Sequence, residues 1–247
     1  MSGASPAPRK PCRRAECPPT CALERWCAAH GAEPGSAQAL FPVWRSNVYA
    51  SGNVLFHPGM TPVALFFLCA GSVRVTRADG NGRRKIVRMV RAPGFVGARA
   101  LVAGQPYAAA AEVAEPTAVC MIDAARFREL WCGEPLVARL LAREFAGKLG
   151  AAQEHLADMA LRTIPQRVAK LLSQRAGQNG EVELRESREE LADMMGTSSP
   201  VICRALADLR RRRLITVDGR AVRVLDAARL RAAARLPREG GLSRLVY

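Results

Sequence analysis

Between about residue 40 and residue 122 the apolar positions come in short alternating runs. Val73 and Val75 alternate with Arg74 and Thr76, as a half-buried strand requires. "ALFFLCAGSVRVTRADGNGRRKIVRMV" reads as two strands around a turn at Asp79-Gly80-Asn81-Gly82. "AEVAEPTAVCMID" reads as a further pair, broken at Glu115-Pro116. Short strands at this spacing predict an antiparallel barrel or jelly roll.

From Ala124 the period lengthens. Leu141, Phe145, Leu149, Ala152, Leu156 and Met159 follow one another at spacings of 4, 4, 3, 4 and 3, which is one apolar stripe along a helix. The helix is expected to start after Pro135 and to run to about Thr163, before Pro165. A stripe of that length, between a barrel and a second domain, predicts a two-stranded coiled coil with these six residues in the dimer interface.

After Pro165, "QRVAKLLSQRA" is another helix. "ESREELADMMGTSSPVICRALADLRRRRLITVDGRAVRVLD" then reads as helix, turn, helix and hairpin. Gly196 suits the left-handed position that ends the first helix. Thr197 or Ser198 caps the second, and Pro200 fits its first turn. Val201, Ala205 and Leu209 line one face, widened by Ile202 and Leu206. "LITV", an Asp218-Gly219 turn and "AVRVL" form a two-stranded wing. A helix-turn-helix sets the N-terminal residues of its second helix against base edges in the major groove. Here those are Ser198, Ser199, Cys203 and Arg204. The fork of Arg204 suits guanine O6 and N7 together, with Asp208, one turn on, as its competing partner. Arg210, Arg211, Arg212 and Arg213 fall further along and are assigned to phosphates, as are Arg220 and Arg223 in the wing.

Charge strengthens that reading. The chain has 37 basic and 22 acidic residues, a net charge of +15. From Arg204 onward 12 arginines face 4 carboxylates, a net of +8, so over half of the excess lies in the last fifth of the chain. Such a balance fits a polyanionic partner, nucleic acid before membrane. No run approaches the roughly 20 apolar residues of a membrane span. The opening "MSGASPAPRKPC" lacks the apolar region of a secretory signal. A cytoplasmic location is therefore expected, with cysteines reduced. His30, His57 and His155 are scattered and no nucleophile–base pair can be located, so no enzyme is expected.

These readings combine into an α+β chain. Residues 1–35 form a Cys-rich arm, read as loose unless something ties it down. Residues 36–132 form an antiparallel β-roll (a cupin-like jelly roll), 133–163 a dimerisation helix and 164–247 a winged helix-turn-helix domain. Four of the eight cysteines, Cys12, Cys17, Cys21 and Cys27, lie in the arm. Cys69, Cys120, Cys132 and Cys203 are dispersed, and Cys69 and Cys132 are expected in the core.

A barrel, a long helix and a C-terminal winged helix in that order resemble the CRP/FNR family of bacterial transcription regulators. The resemblance runs from Cys17 to about Leu225 on "SGNVLFHPG", "LFFLCAGSVRV", "PGFVGARAL", "TIPQRVAKLL" and "REELADMMGTSSPVICRALADLRRRRLI". It implies a homodimer on double-stranded DNA of two-fold symmetry, with RNA polymerase as a partner and Asp79 to Gly82 as a candidate polymerase-contact loop. The cyclic-nucleotide branch carries Gly-Glu, a downstream Arg and then Ser or Thr. Here Ala98 and Tyr107 stand at the Glu and Arg positions, so no cyclic nucleotide is expected.

The FNR-like branch instead holds a [4Fe–4S] cluster on three arm cysteines and a fourth in the barrel. The resemblance assigns those roles to Cys17, Cys21, Cys27 and Cys120, and implies sensing of oxygen or nitric oxide. The arm reads C-x3-C-x5-C rather than C-x2-C before the x5 gap, and Cys12 is a competing ligand. A zinc site, redox-active thiols or a haem sensor on the same fold are the alternatives. Ala152 stands where oxygen-sensing relatives carry a carboxylate in the dimer seam, which implies a more permanent dimer. The Glu-x-x-Ser-Arg of relatives becomes Pro200 to Arg204 here, keeping only the Arg, so the target half-site differs.

Overall fold

The computed structural model describes residues 21–33, 35–36 and 45–235. The chain divides into two units, Met1–Leu149 and Gly150–Tyr247. The first opens with helix α1 (Ala22–Ala29), followed by β1 (Arg45–Tyr49), β2 (Val54–Phe56), β3 (Ala64–Ala70), β4 (Ser72–Ala78), β5 (Arg84–Arg91) and β6 (Gly94–Val96). Helix α2 (Ala98–Ala103), β7 (Ala110–Val113), β8 (Thr117–Asp123) and α3 (Ala124–Gly133) follow. The long helix α4 (Pro135–Leu161) carries residues of both units. The strands form two four-stranded antiparallel sheets, β1-β8-β3-β6 and β2-β7-β4-β5. The fold is therefore the expected antiparallel β-roll followed by a long helix and a helix-turn-helix domain.

Strand β3 explains why its sequence is a continuous apolar run rather than an alternating one. Ala64, Phe66 and Leu68 face the opposite sheet and share a core with Phe56, Val73, Val90, Val113 and Val119. Leu65 and Phe67 project to the other face and join a second core with α1, α3 and the start of α4. A strand covered on both faces has no polar side to show in its sequence. Strand β8 behaves in the same way, with Val119 and Met121 toward the sheet interior and Cys120 and Ile122 toward the helices.

The described part of the arm is not loose. Residues 22–29 are helical, and Leu23, Trp26 and Cys27 are 2%, 4% and 0% exposed within the helix-covered core. The spacing i, i+3, i+4 gives α1 an apolar face to bury. The ring of Trp26 meets Phe95 edge-on at 4.8 Å and Phe67 at 6.4 Å. Cys132, expected in the core, is exposed near the end of α3, because the buried side of that helix is taken by Ala124, Phe127 and Leu130.

In the second unit α5 (Ile164–Arg175), β9 (Glu181–Glu183), α6 (Arg188–Met194) and α7 (Ser199–Arg211) precede β10 (Ile215–Asp218), β11 (Ala221–Val224) and α8 (Ala227–Ala233). The wing is three-stranded rather than two-stranded, in the order β10-β11-β9, because Glu181–Glu183 pairs with β11. Ser187 and Glu190 form a reciprocal cap at the start of α6, at 3.1 and 2.8 Å. Gly196 lies at φ 59°, in the left-handed region as expected. The buried face of α7 is Ile202, Ala205, Leu206 and Leu209.

Gly71 makes the corner between β3 and β4 at φ 84°. A Cβ there would lie 2.4 Å from Thr117 Oγ1 and 2.7 Å from Pro116 O. Thr117 is fully buried and its hydroxyl bonds the Ser72 backbone on both sides, so it has nowhere to move. Gly71→Ala should destabilise the β-roll by about 3 kcal/mol. All three tryptophans precede residue 150, so urea unfolding followed by tryptophan emission reports that unit. The midpoint should fall with no change in slope.

Candidate functional site

The strand parity that sends Cys120 toward the helices places it in the same buried core as α1. Cys21, Cys27 and Cys120 lie in one buried cluster, with Cys69 packed against it. Cys21 is the N-cap of α1, and its sulfur accepts from Leu23 N at 3.3 Å. Cys27, inside the helix, is fully buried. Burial, the Glu24 carboxylate and Cys21 push its thiol up to about 12. Cys120 moves the opposite way: hydrogen bonds from Cys69, then Ser46, lower its pKa against the effect of burial. Cys17 and the competing Cys12 lie outside the described residues.

Soft sulfur donors inside an apolar core fit an iron–sulfur centre in chemistry. Cys27 in particular is a thiol whose ionised form no basic group stabilises, and a coordinated metal supplies that positive charge. Among the described residues no three His, Cys, Asp or Glu side chains converge closely enough to hold a metal ion.

The helix carrying the arm cysteines is fastened to α4 by one carboxylate that the sequence reading missed. Glu144 Oε2 accepts from Trp26 Nε1 at 3.2 Å and lies 3.0 Å from His30 Nε2, while Glu144 Oε1 lies 2.6 Å from Lys148 Nζ. His30 stacks on Trp26 at 4.2 Å, and Arg143 donates to the His30 carbonyl. Burial raises the Glu144 pKa, but Lys148, Trp26 and His30 together outweigh it and hold the carboxyl below its usual range. The missed signal was the Trp-x3-His spacing on α1, which sets an indole N–H and an imidazole on one side of a short helix.

The expected dimer stripe divides along its length. Leu141 is 2% exposed in the core of its own unit and Phe145 is half-buried against it, so Leu141 is withdrawn from the exposed stripe. Leu149, Ala152, Leu156 and Met159 are exposed. The first turns of α4 cover the β-roll, and that consumes the stripe's beginning. Further along, in the second unit, Asp158 receives the buried Lys170 at 2.7 Å and also pairs with Arg162, while Glu154 pairs with Lys170. These pairs hold the end of α4 to α5.

In the second unit Ser198 occupies the N-cap position of α7 without a side-chain hydrogen bond to the helix, and Ser199 is its first residue. Cys203 and Arg204 project to solvent one turn in. Asp208 pairs with Arg211, and with Arg212 at 3.7 Å, which leaves Arg204 without an ion-pair partner among the described residues. Arg210 is exposed beside it on the same helix. In the wing, Arg223 pairs with Glu181 at 3.2 Å, both well exposed, and Arg220 is exposed. The arrangement is a solvent-facing helix end with a fork-shaped cation near its start and a basic stretch behind it, which suits a nucleic-acid groove.

Residues 46–131 match the cyclic nucleotide-binding domain family, and residues 166–233 match the Crp-like helix-turn-helix domain. The chain is 27% identical over 212 residues to a CRP-like cAMP-activated global transcriptional regulator of Mycobacterium tuberculosis, covering 83% of this chain and 95% of that one. It is 30% identical over 187 residues to the HTH-type transcriptional regulator Cmr of the same species, covering 75% of each. Its fold is similar to that of FixK2 from Bradyrhizobium japonicum, with a TM-score of 0.67 and 23% identity over 77% of this chain and 97% of that one.

The Glu144 knot has a pH sign. A carboxyl held below its usual range stabilises the fold above the unfolded value, and that contribution is lost as pH falls through the lowered folded value. Lys148, His30 and Trp26 contact this carboxyl. The protection factors of the amides of residues 22–30 should therefore stay high at neutral pH and fall only under acid. Glu144→Gln should lower them already at neutral pH, by a local loss of about 2 kcal/mol.

Proposed function

The chain belongs to the CRP/FNR family of transcription regulators, and on that premise we propose that it is a homodimeric DNA-binding regulator whose activity is set by a [4Fe–4S] cluster. Regulators of this family bind DNA and act as dimers, and they are not enzymes. The observation that carries the cluster reading is that Cys21 and Cys27, from the arm, and Cys120, from a strand more than 90 positions away, all belong to one buried core. Cys17, or Cys12 in its place, completes the set.

When bound, such a cluster supplies a tie between arm and barrel that oxygen or nitric oxide can destroy. The protein's own residues transmit the state of that tie. With α1 in place, Trp26 fills the gap against Phe67 and Phe95, and Glu144 of α4 is held by Trp26, His30 and Lys148. With α1 displaced, Leu141 and Phe145 lose part of their cover and Glu144 keeps only Lys148. The same helix presents Leu149, Ala152, Leu156 and Met159 to a second copy. Ala152 adds no like charge to that seam, so the dimer persists and the signal acts by reorientation. DNA is read by Arg204, with Ser198, Ser199 and Cys203 around it and Arg210 and Arg211 on phosphates. The target is a two-fold symmetric site, with RNA polymerase as a further partner.

One relative and one family match bear on the ligand. The mycobacterial CRP-like protein is cAMP-activated, and a family match to a cyclic nucleotide-binding domain makes cAMP the competing signal. Against it stands Tyr107, 3% exposed, stacked on Phe56 at 3.8 Å and donating to Ala64 O at 3.1 Å. The position that carries the phosphate-binding Arg in the cyclic-nucleotide branch is thus occupied by a core aromatic. Arg99 is exposed and bonds Gln105.

Protein purified without oxygen should be brown, with about four iron and four sulfide per chain. Cys27→Ser and Cys120→Ser should lose both. A Soret band without sulfide would establish haem instead, and tighter DNA binding on adding cAMP would establish the nucleotide. With DNA sites selected from random sequence, Arg204→Ala should cost about 1–3 kcal/mol and relax one position of the half-site. Arg210→Ala should weaken all sequences alike and lower the salt slope by about one.

A further inference from the structure

Cys69 is the one thiol near the candidate site to which the cluster reading gives no role. Its position in β3 is unusual. The register of β3 on β8 runs Phe67↔Cys120 and Leu68↔Val119, then resumes at Ala70↔Ala118. Cys69 is thus the extra residue of a bulge between Leu68 and Ala70. Its sulfur lies 3.2 Å from that of Cys120, closer than two sulfurs in ordinary van der Waals contact. Thiolates on two different irons of a cubane stand further apart than this, so the pair does not serve as two corners of one cluster. A disulfide needs about 2.05 Å, a closure of roughly 1 Å, and a bulge is where a strand yields most easily.

We propose that Cys69 and Cys120 form a reversible disulfide that withdraws Cys120 from the cluster site. The part concerning the cluster rests on the function proposed above; the bond itself does not. Cys69 is half-buried and Cys120 is 7% exposed, so a peroxide reaches Cys69 first. The Cys69 sulfur takes one oxygen of the peroxide as the O–O bond breaks, giving a sulfenic acid and one water. The Cys120 sulfur then displaces the sulfenic oxygen as a second water, and the S–S bond forms. Two thiols and one hydrogen peroxide give one disulfide and two waters. A dithiol reductant reverses it by two exchanges. Once the bond exists, the strands of the barrel have no thiol to offer iron, and the apo-protein waits in an oxidised form until it is reduced.

The test uses the full chain, freed of metal and reduced, then treated with hydrogen peroxide and mapped by non-reducing peptide mass spectrometry. The expected product joins the peptides of Cys69 and Cys120, with loss of two hydrogens that dithiothreitol restores. Cys69→Ser should abolish it, and Cys69→Ala serves if the serine variant does not fold. Finding Cys69 still open to alkylation, or Cys120 joined to Cys21 or Cys27 instead, would overturn the proposal. A second arm adds iron and sulfide anaerobically. Oxidised wild type should take up none until a dithiol reductant is added, and reduction should restore loading to that of the untreated protein. If oxidised and reduced protein load equally, the withdrawal of Cys120 is wrong. If the crosslink forms and neither protein loads, the cluster reading fails while the disulfide stands.

Discussion

Everything in the sensor unit depends on the sheet β1-β8-β3-β6 being buried on both faces. One face packs on the second sheet, which the β-roll supplies by itself. The other face, with Leu65, Phe67, Phe95 and Ile122, has to be covered by helices. Helices α3 and α4 cover part of it, and the arm helix α1 completes the cover with Leu23, Trp26 and Cys27. Large aromatic surfaces left in water cost several kcal/mol in aggregate, so the arm is a structural part of the core. That is why an event at the arm can be felt by the rest of the unit.

Along the long helix one carboxylate is bonded to residues of α1 and another to a residue of α5. Glu144 gathers Trp26, His30 and Lys148. Asp158 gathers Lys170 and Arg162. Each is a partly or fully buried acid whose partners come from different elements, so breaking one side leaves an uncompensated charge. Hydrophobic contacts slide; such charge knots have a small number of satisfied arrangements. Between them lies the apolar stripe that remains exposed after the β-roll has taken Leu141.

In the DNA-binding unit the arrangement is simpler. Asp208 is occupied by Arg211 and Arg212, so the cation near the start of α7 stays available for a base. Arg211 sits in that pair at the exposed surface, where exchange of a carboxylate for a phosphate is inexpensive. The three-stranded wing forms because Glu181–Glu183 adds to the hairpin, a pairing across some 40 residues of sequence that a hairpin signal alone does not contain.

What the sequence determined by itself was whatever depends on neighbours along the chain. Period two marked the strands, period near 3.6 marked α4 and α7, and cap and turn residues marked Gly196 and Asp218-Gly219. Those signals located the helix-turn-helix, whereas only the resemblance to the CRP/FNR family set Ala98 and Tyr107 at the Glu and Arg positions of a nucleotide site. The tertiary structure decided what depends on register and on which face is covered. It placed Leu141 in the core and left Leu149 outside, although both lie on one stripe. It exposed Cys132, turned part of a supposedly loose arm into a buried helix, and singled out Glu144 among many charges. It also set Cys69 against Cys120. No local pattern reveals that a strand bulges by one residue, because a bulge is defined only by the partner it fails to match.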